Sequence, residues 1–452
     1  MESAQHRGDV PPVHTIDLSL PPIERYVQVA QIYRPQLLQV TYLFDELVES
    51  ILPGYLPWIK WLARLALRRL STQEETDELR GISRVTGIEM YLLVSLNVLL
   101  DLLMGCTSGA ALAKDSKSNN QQPRLLHFRT LDWGMDALRQ LLVCFEFVQG
   151  LDSSSVVATN ITYVGFVGVL TGVRKGLSVS LNFRPNHNSN GWIGNLRYYG
   201  SLLLVLLGLR RSISSVLRQY IIPSGRPGRS WFHWYFSLSG LRACSIMSLS
   251  LSSIWPIVQR TPSTAAYLTF CDGVTAVVLE KDHRTARMAS SQSFIVATNS
   301  DHISTSTEDK HLDEQHSGAT LVASTSVTMA DLIEDSRERR ECIQARWDKK
   351  VYQARRVTST SKAVHARNQV DRLRRTRASQ RHQVRPSEAP MLESDAKQEV
   401  TATSQEVVDW TTAYPTTNEM THFAVVMDPS EGRVLWIRRY LEPLPFDLTE
   451  FV

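Results

Sequence analysis

Met104-Gly105-Cys106-Thr107-Ser108-Gly109-Ala110-Ala111, a polar connection, then Leu126-His127-Phe128-Arg129-Thr130-Leu131-Asp132-Trp133-Gly134: this stretch decides the reading of the chain. Its first part, built of small residues, reads as a short strand. Lys114 to Arg124 reads as a hairpin connection, and the second part alternates into another strand that stops at Gly134. A thiol (Cys106), a guanidinium (Arg129) and a carboxylate (Asp132) are therefore expected on two neighbouring strands. A cysteine in an apolar setting is more often an inert core residue. What singles out Cys106 is the company it keeps.

The bulk numbers narrow the field. A length of 452 residues suggests one large or two medium domains plus extra segments, and 43% hydrophobic content suffices for a sizeable core. A formal charge of +4 is small for this length, so the whole chain is not a general polyanion binder. Five cysteines (Cys106, Cys144, Cys244, Cys271, Cys342) are scattered, with no CxxC pair, so neither a metal site nor a dense disulfide framework is indicated. The opening residues have no apolar core of the secretory kind, so no signal peptide is expected. The most apolar run, Leu202 to Leu209, is far short of the about 20 residues that a bilayer span needs.

Val13 to Pro22 alternates and ends in a double proline, the pattern of a strand with a hard stop. Tyr26 to Leu102 is helical in pattern, with breaks at Pro35, Pro53-Gly54 and Gly87, and Glu74 to Arg84 reads as a charged helix face. Leu141–Phe147, Ser155–Tyr163 and Gly176–Asn182 read as strands, with the small-residue run Val164–Val173 between the last two. Further strands are expected at Val274–Glu280 and Phe294–Ala297. A hairpin is expected from Thr421 to Arg439. Residues 200–258 follow no clear pattern, 304–327 are a polar loop, and 347–407 are charged and poor in large apolar residues, hence a solvated, disordered or helical insertion. Its basic first part has no aromatic residue but Tyr352, so base stacking, and a nucleic-acid partner, are not expected.

Several stretches together resemble the acid ceramidase and N-acylethanolamine acid amidase family of N-terminal-nucleophile hydrolases. The family's Cys-Thr-Ser stands as Cys106-Thr107-Ser108. Its His-Gly-Arg-Asn-x-Asp-Phe/Trp-Gly stands as His127-Phe128-Arg129-Thr130-Leu131-Asp132-Trp133-Gly134, with Phe128 and Thr130 in place of Gly and Asn. Gly81–Ile88 resembles the family's Gly-Ile-x-x-x-Thr-Gly-Ile, and Val296-Ala297-Thr298-Asn299-Ser300-Asp301-His302 its Val-x-Thr-Asn-x-Asp-His. Glu334 to Cys342 resembles its Asp-Asp-x-Arg…Cys helix start. In the strand Gly176–Asn182, Phe183 stands where the family usually has Glu.

The resemblance implies an α+β fold, the αββα sandwich of N-terminal-nucleophile hydrolases behind a mostly helical N-terminal segment. Residues 1–105 would be an α-part, and 106–346 the catalytic β-part with inserts at 200–258 and 304–327. Residues 347–407 would be the charged insertion, and 408–452 the closing strand pair. It implies cleavage at Gly105–Cys106, so that the α-amino group of Cys106 becomes the base for its own thiol. Asp132 would orient that amine and Arg129 would position thiol and substrate. Asn299 would donate to the oxyanion, and Arg337 would complete the site, with Arg339 and Arg340 competing for that alignment. No cofactor or metal is implied. The implied substrate is a lipid amide, ceramide or an N-acylethanolamine, bound near Trp133 and Tyr163–Val173. Transient contact with a membrane surface fits such a substrate. Family precedent for location is lysosomal, vacuolar or secreted. Two other classes stay open: a non-catalytic lipid-binding protein on the same scaffold, and an adaptor working through its basic segment.

Overall fold

The computed structural model describes residues 9–99, 105–114, 122–150, 155–184, 191–223, 250–301, 333–356 and 400–444. The expected opening strand is β1 (Val13–Asp17), and the stretch around Cys106 forms β2 (Gly105–Ala113) and β3 (Arg124–Asp132). Next come β4 (Leu142–Val148), β5 (Ala158–Tyr163), β6 (Thr171–Arg174) and β7 (Leu177–Phe183). β8 (Ala266–Cys271), β9 (Ala276–Lys281), β10 (Ala286–Ser291) and β11 (Phe294–Ala297) follow, and β12 (Thr421–Asp428) and β13 (Arg433–Arg439) close the chain.

These strands form two sheets, ordered β1-β4-β5-β6-β7-β8-β9-β10 and β11-β2-β3-β12-β13. β1 lies parallel to β4, and the other strand pairs within the sheets are antiparallel. The sheets stack face to face. Ser108 of β2 donates to Asn182 of β7 at 3.1 Å and meets Thr269 of β8 at 3.0 Å. His127 of β3 lies between Ser178 and Ser180 of β7, at 2.8 and 2.9 Å. Small residues make β2 a central strand that can be approached from every side. A side-chain carbon at Gly109 would lie 2.2 Å from the carbonyl oxygen of Ile295.

Helices cover both outer faces. Helices α8 (Gly191–Leu206) and α9 (Ile213–Ile221) and the helix Leu251–Arg260 fold the region expected to be irregular, and residues 224–249 lie outside the description. α9 and Leu251–Arg260 pack on the larger sheet. On the smaller sheet lie the helix over 333–356 and the helix Ser404–Thr412, the latter started by a Thr403–Glu406 capping box. Trp347 stacks on Phe294 of β11 at 5.1 Å and meets Trp410 edge-on at 6.3 Å. This corrects the expected boundary at 347. Trp347 belongs to the core, the helix runs on to 356, and folded chain resumes by Ala402, which hydrogen-bonds to Leu112. The rest of the charged stretch and the polar loop 304–327 lie outside the described residues.

The N-terminal part is helical from α1 (Pro22–Arg25) to α7 (Met90–Leu99). The break expected at Pro35 is the junction between α2 (Val27–Ile32) and α3 (Arg34–Gln39), where Pro35 sits in the first turn of α3 and costs no helical hydrogen bond. Gly87, at φ +80°, ends α6 (Gln73–Thr86) in the left-handed cap that favours glycine. The charged face of α6 is divided: Arg80 and Arg84 are exposed, whereas Glu75 and Glu78 are buried. Glu78 takes two nitrogens of Arg218, both at 2.7 Å, and one of Arg25 at 3.0 Å, while Glu75 accepts from Ser215 at 2.8 Å. Those carboxylates thus join the segment before Cys106 to α9 after it.

Candidate functional site

Antiparallel register explains how residues 193 positions apart converge. Cys106 lies opposite Leu131, and Arg129, two residues back on the same face, reaches it diagonally. Arg129 Nη2 lies 3.2 Å from Cys106 Sγ. On the other side of β2, Ala297 pairs with Ser108, so Asn299, two residues on, comes level with Cys106. Its Oδ1 accepts the backbone N–H of Cys106 at 2.7 Å, and its Nδ2 donates to the Phe183 carbonyl at 2.7 Å.

Arg129 is fully buried and fixed by backbone. Nη1 donates to the Leu170 carbonyl and to Thr171 Oγ1, and Nη2 to the Leu181 carbonyl at 2.6 Å. Nε is left without a partner. Asp132, at the end of β3, accepts from Thr421 Oγ1 at 2.7 Å and pairs with Arg339 Nη1. Arg339 Nη2 reaches Asn299 Oδ1 at 3.3 Å. A continuous polar chain therefore runs from Asp132 through Arg339 and Asn299 to the nitrogen of Cys106.

Burial pushes the Cys106 thiol above its ordinary range, with Asp132 adding to it, and Arg129 and Arg339 pull against that shift. Burial likewise raises the Asp132 carboxyl against Arg339 and Thr421. A thiol in this setting holds its proton, so its use as a nucleophile requires a base beside it.

Of the five residues expected at the site, the structure brings together Cys106, Arg129, Asp132 and Asn299. Arg337 is not among them. It is half exposed and faces Glu334 at 3.7 Å, and Arg339 occupies the place expected for it. The correction is one of helical phase. The buried positions of the helix over 333–356 are Ser336, Arg339, Ile343 and Trp347, a 3-4-4 spacing that excludes 337. Ser336 Oγ accepts the Asn299 N–H at 2.7 Å, so this helix also holds the loop end that carries Asn299. That spacing was available in the sequence. Thr421 and Ser336 carried no signal of their own.

Beside Asp132, Trp133 lines an apolar cavity of about 80 Å³ whose other walls include Leu37, Phe44, Leu47, Leu92, Leu96 and Leu138. The Tyr163–Val173 run is not in its lining. Among the described residues, no group of His, Cys, Asp and Glu side chains is arranged to hold a metal ion.

Residues 9–70 match the family model for the beta subunit of N-acylethanolamine-hydrolyzing acid amidase. Acid ceramidase of Mus musculus is 31% identical over 211 residues, 43% of this chain and 50% of the relative. N-acylethanolamine-hydrolyzing acid amidase of Caenorhabditis elegans is 30% identical over 201 residues, 42% of this chain and 52% of the relative. Over these stretches the chain is similar to the acid ceramidase and N-acylethanolamine acid amidase family. It spans about half the length of the curated relatives it matches. Among solved structures, the Caenorhabditis elegans amidase ortholog aligns with a TM-score of 0.40 at 16% identity, over 72% of this chain and 93% of that one.

Proposed function

We propose that this protein hydrolyses the amide bond of an N-acyl lipid, ceramide in the first instance, with Cys106 as an N-terminal nucleophile. The observation that carries the reading is the bond from Asn299 to the backbone nitrogen of Cys106, 2.7 Å long, with the thiol of the same residue held against Arg129. A polar chain aimed at a nitrogen makes chemical sense if that nitrogen becomes an amine.

Cleavage comes first. Sγ attacks the Gly105 carbonyl, the C–N bond to Cys106 breaks, and the thiol proton ends on the freed nitrogen. Water then hydrolyses the thioester and returns the thiol. A free α-amine has a reference pKa of about 7.7–8.0, so it takes the thiol proton readily. In the lipid reaction Sγ attacks the acyl carbonyl while the amine accepts the thiol proton. The amine then passes this proton to the departing sphingoid nitrogen. Water cleaves the acyl thioester to give the fatty acid. Arg129 Nε, a buried donor without a partner, suits the oxyanion, whose stabilisation by one such donor is typically worth about 3–4 kcal/mol. Asn299 fits that role less directly while its Nδ2 is held by Phe183.

The apolar cavity beside Trp133 suits the start of an acyl chain. Outside it, Trp58, Trp61, Leu62 and Leu65 of α5 (Leu56–Ala66) are exposed, which suits transient contact with a lipid surface. No helix among the described residues is long and apolar enough to cross a membrane. An N-acylethanolamine is the second reading, supported by the near-equal identity to a relative of that name. Fluorescent ceramide and fluorescent acylethanolamide, incubated with wild type and Cys106→Ala between acidic and neutral pH, separate the readings. Turnover by wild type alone supports the proposal, and the preferred lipid names the substrate. Equal turnover by Cys106→Ala, or binding without turnover by wild type, contradicts it.

A further inference from the structure

Asn299 stands two residues beyond Ala297, the last residue of β11, where strand pairing no longer fixes the backbone. Its bond to the Cys106 nitrogen therefore depends on what holds this stretch in place. Much of that hold comes from the other sheet. Three successive residues at the end of β7 grip 297–301 in step. Asn182 Nδ2 donates to the carbonyls of Ala297 and Thr298, at 3.1 and 3.4 Å. The Phe183 carbonyl accepts from Asn299 Nδ2 at 2.7 Å, a backbone contact that does not depend on the side chain at 183. Arg184 then pairs with Asp301 through two nitrogens, Nε to Oδ1 at 2.8 Å and Nη2 to Oδ2 at 2.6 Å. A planar guanidinium bound at two points fixes direction as well as distance. Arg184 is buried, with its guanidinium over the Tyr267 ring at 5.8 Å, and Tyr267 OH donates to Asp301 Oδ1 at 2.7 Å. The ion pair thus lies one residue past Phe183 on one chain segment and two past Asn299 on the other.

We propose that Arg184 and Asp301 are a positioning pair for the hydrolysis, pinning the stretch beyond β11 to β7 so that Asn299 Oδ1 stays where it accepts from the Cys106 nitrogen. The pair acts through Asn299 and not on the reacting atoms. This inference deepens the reading of Cys106 as the nucleophile and rests on it, but not on the identity of the lipid.

The test uses the full-length protein and two readouts. One is kcat and KM for the preferred lipid amide, measured with and without Asn299→Ala. The other is amide hydrogen exchange over 297–301, scored by peptide mass with β9 as the reference. Arg184→Gln should lower kcat about tenfold with KM within about twofold, because a small misplacement of an aligned group costs rate at this scale or above. It should also speed exchange over 297–301 and leave β9 unchanged. In the Asn299→Ala protein the same substitution should lower kcat by less than about twofold further, since the group it positions is gone. Asp301 is partly exposed, so its carboxylate can be hydrated when Arg184 is replaced and the fold is expected to survive. A folded Arg184→Gln protein with wild-type kcat, or a loss that persists undiminished in Asn299→Ala, would overturn the proposal. If Arg184→Gln shows no cooperative melt, Asp301→Asn decides. It keeps the side chain's shape and an oxygen for Tyr267, and should lower kcat about threefold, again only while Asn299 is present; wild-type kcat there would overturn the proposal. If wild type hydrolyses neither lipid, the hydrolase reading fails and exchange alone decides: faster exchange over 297–301 in Arg184→Gln leaves the hold on Asn299 standing, and unchanged exchange overturns it.

Discussion

At the residue scale, the account depends on which atoms touch Cys106. Cys106→Ala is expected to lower turnover by a factor of about 10³ or more while leaving the melting temperature close to wild type, checked by kinetics and thermal unfolding. Arg337 and Arg339, on the helix over 333–356, give a sharper comparison. Arg339→Leu leaves the buried Asp132 carboxylate without its cation, which should cost about 3–5 kcal/mol of stability and lower activity with it. Arg337→Leu removes a half-exposed side chain facing Glu334 and should change stability by less than about 0.5 kcal/mol with activity retained. Denaturant melts and turnover of the two variants check both. Cys106, Arg129, Asp132 and Asn299 could be singled out because the stretches that carry them resemble the motifs of one family, in order along the chain. Arg339 was harder to single out, because three arginines within four residues can be separated only by the phase of the helix that carries them.

At the element scale, strands were legible wherever alternation or small residues marked them, as in β2, β3, β7 and β12. The misread elements share a physical cause. α6 presents Arg80 and Arg84 to solvent but buries Glu75 and Glu78 against Ser215, Arg25 and Arg218, a division that a charged pattern does not reveal unless the partners are known. The helix over 333–356 was cut short at 347 because charge dominates its composition, while its core contact rests on a few positions, Trp347 chief among them. Trp347→Ala is therefore expected to cost about 3–5 kcal/mol. Because the same helix supplies Arg339 and Ser336, the variant should also lose activity faster than it loses structure as denaturant rises. Parallel urea titrations of turnover and far-ultraviolet dichroism check this. Coincident transitions would argue against the link between helix and site.

At the scale of the whole molecule, the αββα order was legible through the resemblance, whereas the packing of polar groups between the sheets was not. His127 is an example. Burial between two serines pushes its pKa down to about 3. The unfolded chain takes up a proton near pH 6.5 that the folded chain refuses until about pH 3, so stability falls as pH drops through that window. Relative to His127→Gln, the wild type should lose about 1.4 kcal/mol per pH unit there, measured by urea melts at stepped pH. The central claim concerns the chain itself. Intact mass and N-terminal sequencing of active protein should find two chains, residues 1–105 and a partner beginning at Cys106, and Cys106→Ala should remain a single chain. Full activity in an uncut chain of 452 residues would contradict the account.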